Sequence, residues 1–208
     1  LPWLAAPLAA WALVVSQTRS AWIGAVAGLA VVAARRAPRL VWLVAAAVAA
    51  LVLARPAALE SRLTIGDASS RDRVYMWQAG LDMVLDRPVF GQGPGMILLA
   101  YPRYRWPEAT HPQQPHLHNN VLQLAAERGI PGLAFFAWWA GAAALAAWRE
   151  ALRGGAGAWA AAAVLAALAA VLLAGLFEYN LGDSEVLMLV LLLTAVPFAL
   201  AKGRPASA

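Results

Sequence analysis

The sequence contains no cysteine, which removes disulfides, thiol nucleophiles and Cys-ligated zinc or iron–sulfur sites from consideration. Charge is also scarce. Only 13% of the 208 residues are Asp, Glu, Lys or Arg, against about a quarter in soluble domains. No internal repeat is visible. Residues Leu1–Val15 offer neither a basic start nor a clear small-residue cleavage site, so no signal peptide is identified. The chain opens at Leu1, already inside an apolar run, and is expected to be a fragment of a longer polytopic protein.

What is present is hydrophobic: 62% of residues, with a mean hydropathy of +0.63. This points to an all-α integral membrane protein. A crossing helix needs about 20 apolar residues. The apolar runs 1–16, 20–34, 40–55, 131–148, 158–177 and 186–201 predict about six transmembrane helices. Three fall in 1–55 and three in 131–208, with a short loop, 178–185, between the last two. Between the halves lies the one long polar region, 56–130. A loop of that length in a compact protein is usually functional. The net charge of +5 does not imply nucleic acid, because the basic residues fall at the ends of apolar runs. Arg35, Arg36, Arg39, Arg149, Arg153, Lys202 and Arg204 mark one side as cytoplasmic under the positive-inside bias. The polar region is therefore expected outside, periplasmic or extracellular.

Within it, Ser69-Ser-Arg-Asp72 reads as a helix start. Val74, Trp77, Leu81, Val84 and Leu85 share one face of that helix, opposite Gln78, Asp82 and Asp86, and Arg87-Pro88 ends it. Such a helix lies in the interface or packs on the bundle. Phe90–Gly95 is a turn-rich connector, and Tyr101–Pro107 is an aromatic and arginine cluster suited to headgroup depth. Gly91, Gly93 and Gly95 follow no strand and do not form a dinucleotide loop.

The candidate chemistry centres on His118. It opens a helical pattern with Val121, Leu122 and Ala125 that Gly129 and Pro131 close. A histidine in a first turn feels the positive end of the helix dipole, which favours the neutral ring a general base needs. The same helix start offers N–H groups to a phosphate. The pattern equally fits a histidine that only caps a helix. His111, His116 and His118 with Glu108 form a conceivable zinc set, though their spacing matches no usual signature. Arg19, Arg71, Arg73, Arg103 and Arg105 are suited to two-pronged phosphate recognition. The alternative is snorkelling at the interface, preferred for Arg55, Arg62 and Arg87. Glu178, Asp183 and Glu185 either orient a sugar, pair with outer arginines or form a solvated loop.

Several segments together resemble the O-antigen ligase family. His118-Asn119, nine residues, then Gly129-Ile-Pro-Gly132 is similar to its His-[Asn/Ser/Gln]-x9-Gly-x-x-Gly motif. Thr18-Arg19-Ser-Ala-Trp22 resembles its Ser-Arg-x-x-Trp segment, with Thr for the usual Ser. Arg73-Val-Tyr-Met-Trp77 and Asp86-Arg-Pro-Val-Phe-Gly-Gln-Gly93 resemble an Arg-x-x-x-Trp helix and an Arg-Pro-x-x-Gly-x-Gly turn. Phe177–Asp183 resembles the last outer loop. The family normally has about a dozen spans, so the likeness is to its C-terminal half.

The resemblance implies a metal-independent glycosyltransferase in the bacterial inner membrane, acting at the periplasmic face without a cofactor. The donor would be a glycan on undecaprenyl pyrophosphate and the acceptor a sugar hydroxyl of lipid A-core. His118 would be the base, and Arg19 and Arg73 would hold the pyrophosphate. Arg71, Arg103, Arg105, Asn119 and His116 are further substrate-binding candidates. A polymerase or a protein O-oligosaccharyltransferase of the same superfamily is the nearest rival. From another class comes a lipid-linked glycan transporter component, for which the nearly charge-free spans offer little support.

Overall fold

The computed structural model describes residues 2–16, 18–36, 39, 42, 68–155 and 157–202. Their helices are α1 (Pro2–Ser16), α2 (Arg19–Arg36), α3 (Ala68–Asp86), α4 (Ile97–Tyr104), α5 (Asn120–Arg153), α6 (Gly157–Ala174) and α7 (Ser184–Lys202). A 3₁₀ turn, Asn180–Gly182, precedes α7. There is no strand among the described residues.

Helices α5, α6 and α7 are long and apolar enough to cross a membrane, in agreement with the last three expected spans. Helices α1 and α2 occupy the first two expected positions. However, α1 has only 15 residues, and α2 carries Arg19, Arg35 and Arg36 within its 18. The expected span at 40–55 lies outside the described residues apart from Trp42. Large apolar side chains such as Trp11, Phe135, Trp138 and Leu192 face outward, each more than 60% exposed. A contiguous apolar surface of this kind marks contact with a hydrophobic medium, and the chain is a helical membrane protein.

Without a hydrophobic drive inside lipid, helices associate where small residues let backbones approach. Gly24 and Gly28, one turn apart on α2, meet α6 in this way. A Cβ on Gly24 would stand 2.6 Å from the carbonyl oxygen of Ala170, and one on Gly28 3.1 Å from that of Ala166. Helices α5, α6 and α7 share a second core around Ala143, Ala147, Val164, Leu168 and Val190.

The described part of the polar region, from residue 68 on, folds on top of one end of this bundle. Helix α3 ends before Arg87-Pro88 as expected. Its buried stripe, though, is Met76, Ala79, Gly80, Met83 and Val84, while Val74, Leu81 and Leu85 are about half or more exposed. At Gly80, a Cβ would lie 2.7 Å from a methyl of Leu117, so only this face lets the 117 segment approach. The same core takes in Ile97, Tyr101, Ala125 and Ala126. Tyr101 is thus a core residue rather than an interface anchor.

The expected helix stop at Gly129 appears as a break inside α5. Gly129 has φ +71°, and a Cβ there would collide with the Val89 carbonyl. Ile130 N donates to Pro88 O at 2.8 Å, Gln92 N to Ala126 O at 2.7 Å and Gly93 N to Glu127 O at 3.0 Å. The Arg-Pro-x-x-Gly-x-Gly turn and the Gly-x-x-Gly motif are therefore two sides of one backbone junction. The junction directs Asn120–Arg128 away from the spanning part of α5.

Two ends of the bundle differ in character. At one, the α1–α2 turn, the start of α3, the start of α5 and the α6–α7 turn meet, as the Arg19–Ser70 and Asn120–Gly175 hydrogen bonds record. At the other, Arg35 donates to the carbonyl of Ala151, and Gly157 packs on Leu200. The ends of α2, α5 and α7 that carry Arg35, Arg153 and Lys202 belong to this second end.

Candidate active site

Asn119 and Asn120 build the site. Asn119 caps α5, its Oδ1 accepting from Val121 N at 2.9 Å and Leu122 N at 3.0 Å, while its Nδ2 donates to Leu176 O at 2.9 Å. Asn120, 3% exposed, donates through its backbone to Gly175 O at 2.7 Å and through Nδ2 to Asn180 Oδ1 at 2.6 Å. These bonds fasten the 175–181 turn across the start of α5. They also occupy the N–H groups of residues 120–122, and Gln123 N donates to Asn119 O at 2.9 Å. The helix start therefore offers no free N–H set to a phosphate, contrary to expectation, because the protein's own oxygens fill it.

His118 lies just outside this helix rather than in its first turn, so the dipole argument does not apply to it as framed. Its φ of +49° is uncommon for a residue with a side chain. Such a conformation costs roughly 1–3 kcal/mol and persists where the surroundings impose it. The group that contacts the ring is Glu178, carried on the fastened turn. His118 Nδ1 stands 2.6 Å from Glu178 Oε1. A carboxylate only accepts, so Nδ1 carries the proton and Nε2 keeps the lone pair when the ring is neutral. No described residue hydrogen-bonds to Nε2.

Glu178 has further partners. It accepts from Tyr179 N at 3.1 Å, and Arg73 Nη2 lies 3.6 Å from its Oε2. Burial pushes its carboxyl upward, but the His118 hydrogen bond and charge, the Tyr179 N–H and Arg73 together hold it below the ordinary carboxylate value. His116 stacks edge-on against His118 at 4.3 Å between centroids, with its Nε2 3.8 Å from Glu178 Oε1. Burial chiefly, helped by the charges of His118 and Arg73, lowers the pKa of His116 below the usual histidine value.

The conceivable zinc set of His111, His116, His118 and Glu108 is not brought together. His111 pairs instead with Asp72, Nε2 to Oδ2 at 3.8 Å, and Glu108 is exposed. A different trio, His116, His118 and Glu178, presents ligand atoms within 4.8 Å of one another. Two ligands of one tetrahedral zinc at 2.0–2.1 Å stand roughly 3.3 Å apart. The 2.6 Å between Nδ1 and Oε1 is a charge-assisted hydrogen bond instead.

The arginines divide. Arg73 donates Nη1 to Phe177 O at 2.7 Å, bracing the turn that carries Glu178. Arg19 reaches Ser70 Oγ at 3.4 Å, one helical turn before Arg73. Arg71 and Arg103 are exposed, and Arg105 donates to Ala109 O at 3.2 Å; none of these three bonds to the His118–Glu178 pair.

Beside the pair opens a cavity of about 510 Å³, lined by Asp72, Arg73, Met76, Thr110, His111, Gln113, Gln114 and His118. Sequence reasoning left Glu178 undecided between three roles, because it lies 60 residues from His118. It missed the buried polar face of α5 altogether. Gln123, 1% exposed, accepts from Leu117 N at 2.8 Å and donates to Glu127 at 2.7 Å, holding the segment immediately before His118.

A family model described as O-antigen ligase matches residues 4–137, a stretch that includes Arg19, Arg73 and His118 but stops short of Glu178. A protein of Rickettsia prowazekii (strain Madrid E) with the provisional name polysaccharide ligase is 32% identical over 87 residues, 39% of this chain and 21% of its own length. A Rickettsia conorii (strain ATCC VR-613 / Malish 7) protein of the same provisional name is 27% identical over 90 residues, again 39% and 21%. The chain thus aligns with about a fifth of these relatives.

Proposed function

Because this chain belongs to the O-antigen ligase family, a membrane family acting on glycans, we propose that it transfers a glycan from undecaprenyl pyrophosphate to a sugar hydroxyl of lipid A-core. The observation that carries the reading is the 2.6 Å His118–Glu178 contact beside a cavity that His118 and Arg73 line. His118 Nε2 takes the proton of the acceptor hydroxyl. The oxygen attacks the anomeric carbon, the bond from that carbon to the pyrophosphate oxygen breaks, and the lipid pyrophosphate leaves with the electron pair. Glu178 fixes the ring tautomer and balances the charge the ring gains, as a carboxylate does in other acid–base pairs. The proton then passes to the departing pyrophosphate or to water.

Arg73 and Arg19 stabilise the leaving group. Arginine charge in a partly desolvated site does what a divalent cation does elsewhere, so the transfer is metal-independent. Arg71, Arg103 and Arg105 add positive charge along the approach, where exposed cations steer an anionic substrate. Asn119 and His116 act as positioning residues for His118. The site faces the periplasm of the bacterial inner membrane, a reading supported by the basic turns at the opposite end.

The test is transfer of labelled glycan from the lipid pyrophosphate to lipid A-core, to another lipid-linked glycan, or to a pilin. Product on lipid A-core supports ligation, and product on either other acceptor replaces it with polymerisation or protein glycosylation. His118→Ala should abolish transfer while leaving membrane insertion intact. Normal transfer by that variant would remove His118 from the mechanism.

A further inference from the structure

The cavity beside His118 has chemistry that the transfer mechanism does not use. Gln114 is only 9% exposed, lines the cavity, and its side-chain amide bonds to no described residue. Its amide atoms keep contact with solvent at the cavity and are open to a ligand. Around it stand Asp72, Thr110, His111 and Gln113, with Met76 as the one apolar lining group. This array supplies alternating donors and acceptors plus a patch for C–H faces. The volume, about 510 Å³, falls within the roughly 300–1,000 Å³ of small-ligand sites.

We propose that the cavity formed by α3 and the 110–114 segment is a subsite for a neutral pyranose ring of the acceptor glycan, with Gln114 and Asp72 as its specificity-determining residues. The assignment to acceptor rests on the proposed transfer reaction, in which the attacking hydroxyl must reach His118 on this same wall. Asp72 supplies an acceptor for a sugar hydroxyl. Its Oδ1 accepts from Thr110 N at 3.0 Å, which keeps the carboxyl below its ordinary value despite the upward push of burial. The carboxylate accepts hydrogen bonds from sugar hydroxyls, while Arg73 and His111 on the same wall mean that the cavity's charge does not exclude a pyrophosphate. The donor's reducing-end sugar, which brings that pyrophosphate with it, is the other source of a pyranose.

Two measurements on the membrane-embedded protein separate these possibilities. In steady-state transfer, Gln114→Ala should raise the acceptor KM about fivefold, the loss expected for one hydrogen bond, with donor KM and kcat within twofold of wild type. Asp72→Asn should act in the same direction. A donor KM that rises while the acceptor KM stays put would give the cavity to the donor sugar, and no change in either would remove the subsite. The second measurement needs no turnover. Because the chain has no cysteine, Gln113→Cys introduces a thiol unique within it, at an exposed position on the cavity wall. Delipidated core oligosaccharide should protect this thiol from a membrane-impermeant maleimide, and inorganic pyrophosphate should not. Protection by oligosaccharide in a protein that transfers no glycan would retain the subsite and refute the transferase. Protection by pyrophosphate alone would overturn the subsite.

Discussion

Replacing Glu178 with Gln is the most direct trial of the His118–Glu178 arrangement. The substitution keeps the shape and removes the charge. Two consequences of different size follow. If the amide oxygen faces His118 Nδ1, the ring keeps its tautomer and loses only the charged partner at 2.6 Å. A hydrogen bond to a charged group contributes about 1.5–3 kcal/mol, so the rate falls about 10- to 100-fold. If the amide nitrogen faces Nδ1, that nitrogen must accept. The proton then moves to Nε2 and the base is lost, a wrong-tautomer effect of about 10⁴ in a serine protease. The Tyr179 N–H, which also donates to Glu178 Oε1 at 3.1 Å, holds the oxygen on the His118 side and favours the smaller loss. The expected fall in kcat is therefore about 100-fold, with donor KM little changed. The assay is glycan transfer in membranes normalised to inserted protein. Residues acting as one unit are not additive, so Glu178→Gln combined with His118→Ala should be no slower than His118→Ala alone. A Glu178→Gln enzyme within threefold of wild type would refute the pairing.

Other consequences can be measured independently. Gly129→Ala must adopt φ +71° and ψ 178° and meet the Val89 carbonyl; that backbone region, essentially restricted to glycine, alone costs about 1–3 kcal/mol, so its thermal midpoint in detergent should fall, and an unchanged midpoint would contradict the junction. His116 has a folded pKa below its usual 6.5, so the unfolded chain binds the extra proton as pH falls below that value. Stability should therefore drop from pH 8 to pH 5 and His116→Gln should drop less; Glu178, depressed below 4.5, does not titrate in that window. Arg73→Lys replaces a side chain that reaches both Phe177 O and Glu178 by a single point charge, so transfer should fall more than tenfold; near-normal transfer would remove the bracing role. Transfer should survive EDTA, because arginine charge serves the leaving group in the proposed reaction; loss of activity restored by zinc would instead make His116, His118 and Glu178 a metal site.

What the sequence alone determined follows from signals that are local along the chain. Hydropathy located α5, α6 and α7 because each crossing element must be continuously apolar. Arg87-Pro88 marked the end of α3 because proline forbids the preceding residue a helical conformation. The resemblance of the His118–Gly129 spacing to a family motif pointed to both residues, and for Gly129 the structure supplies a physical reason, since two backbones meet there. The tertiary structure decided whatever depended on partners distant in sequence. Apolar periodicity left open whether the α3 face of Val74, Leu81 and Leu85 lies in the interface or packs on the bundle; in the fold those side chains are exposed and the face with Met76, Gly80 and Met83 packs on the 117 segment. Dipole reasoning placed His118 in a first turn, whereas Asn119 takes the cap and Glu178, 60 residues on, supplies the contact. Nothing near Asn120, Gln123 or Gln114 in sequence announces burial. Their partners, or the cavity that lacks one, exist only once α3, α5 and the 175–181 turn have met at one end of the bundle.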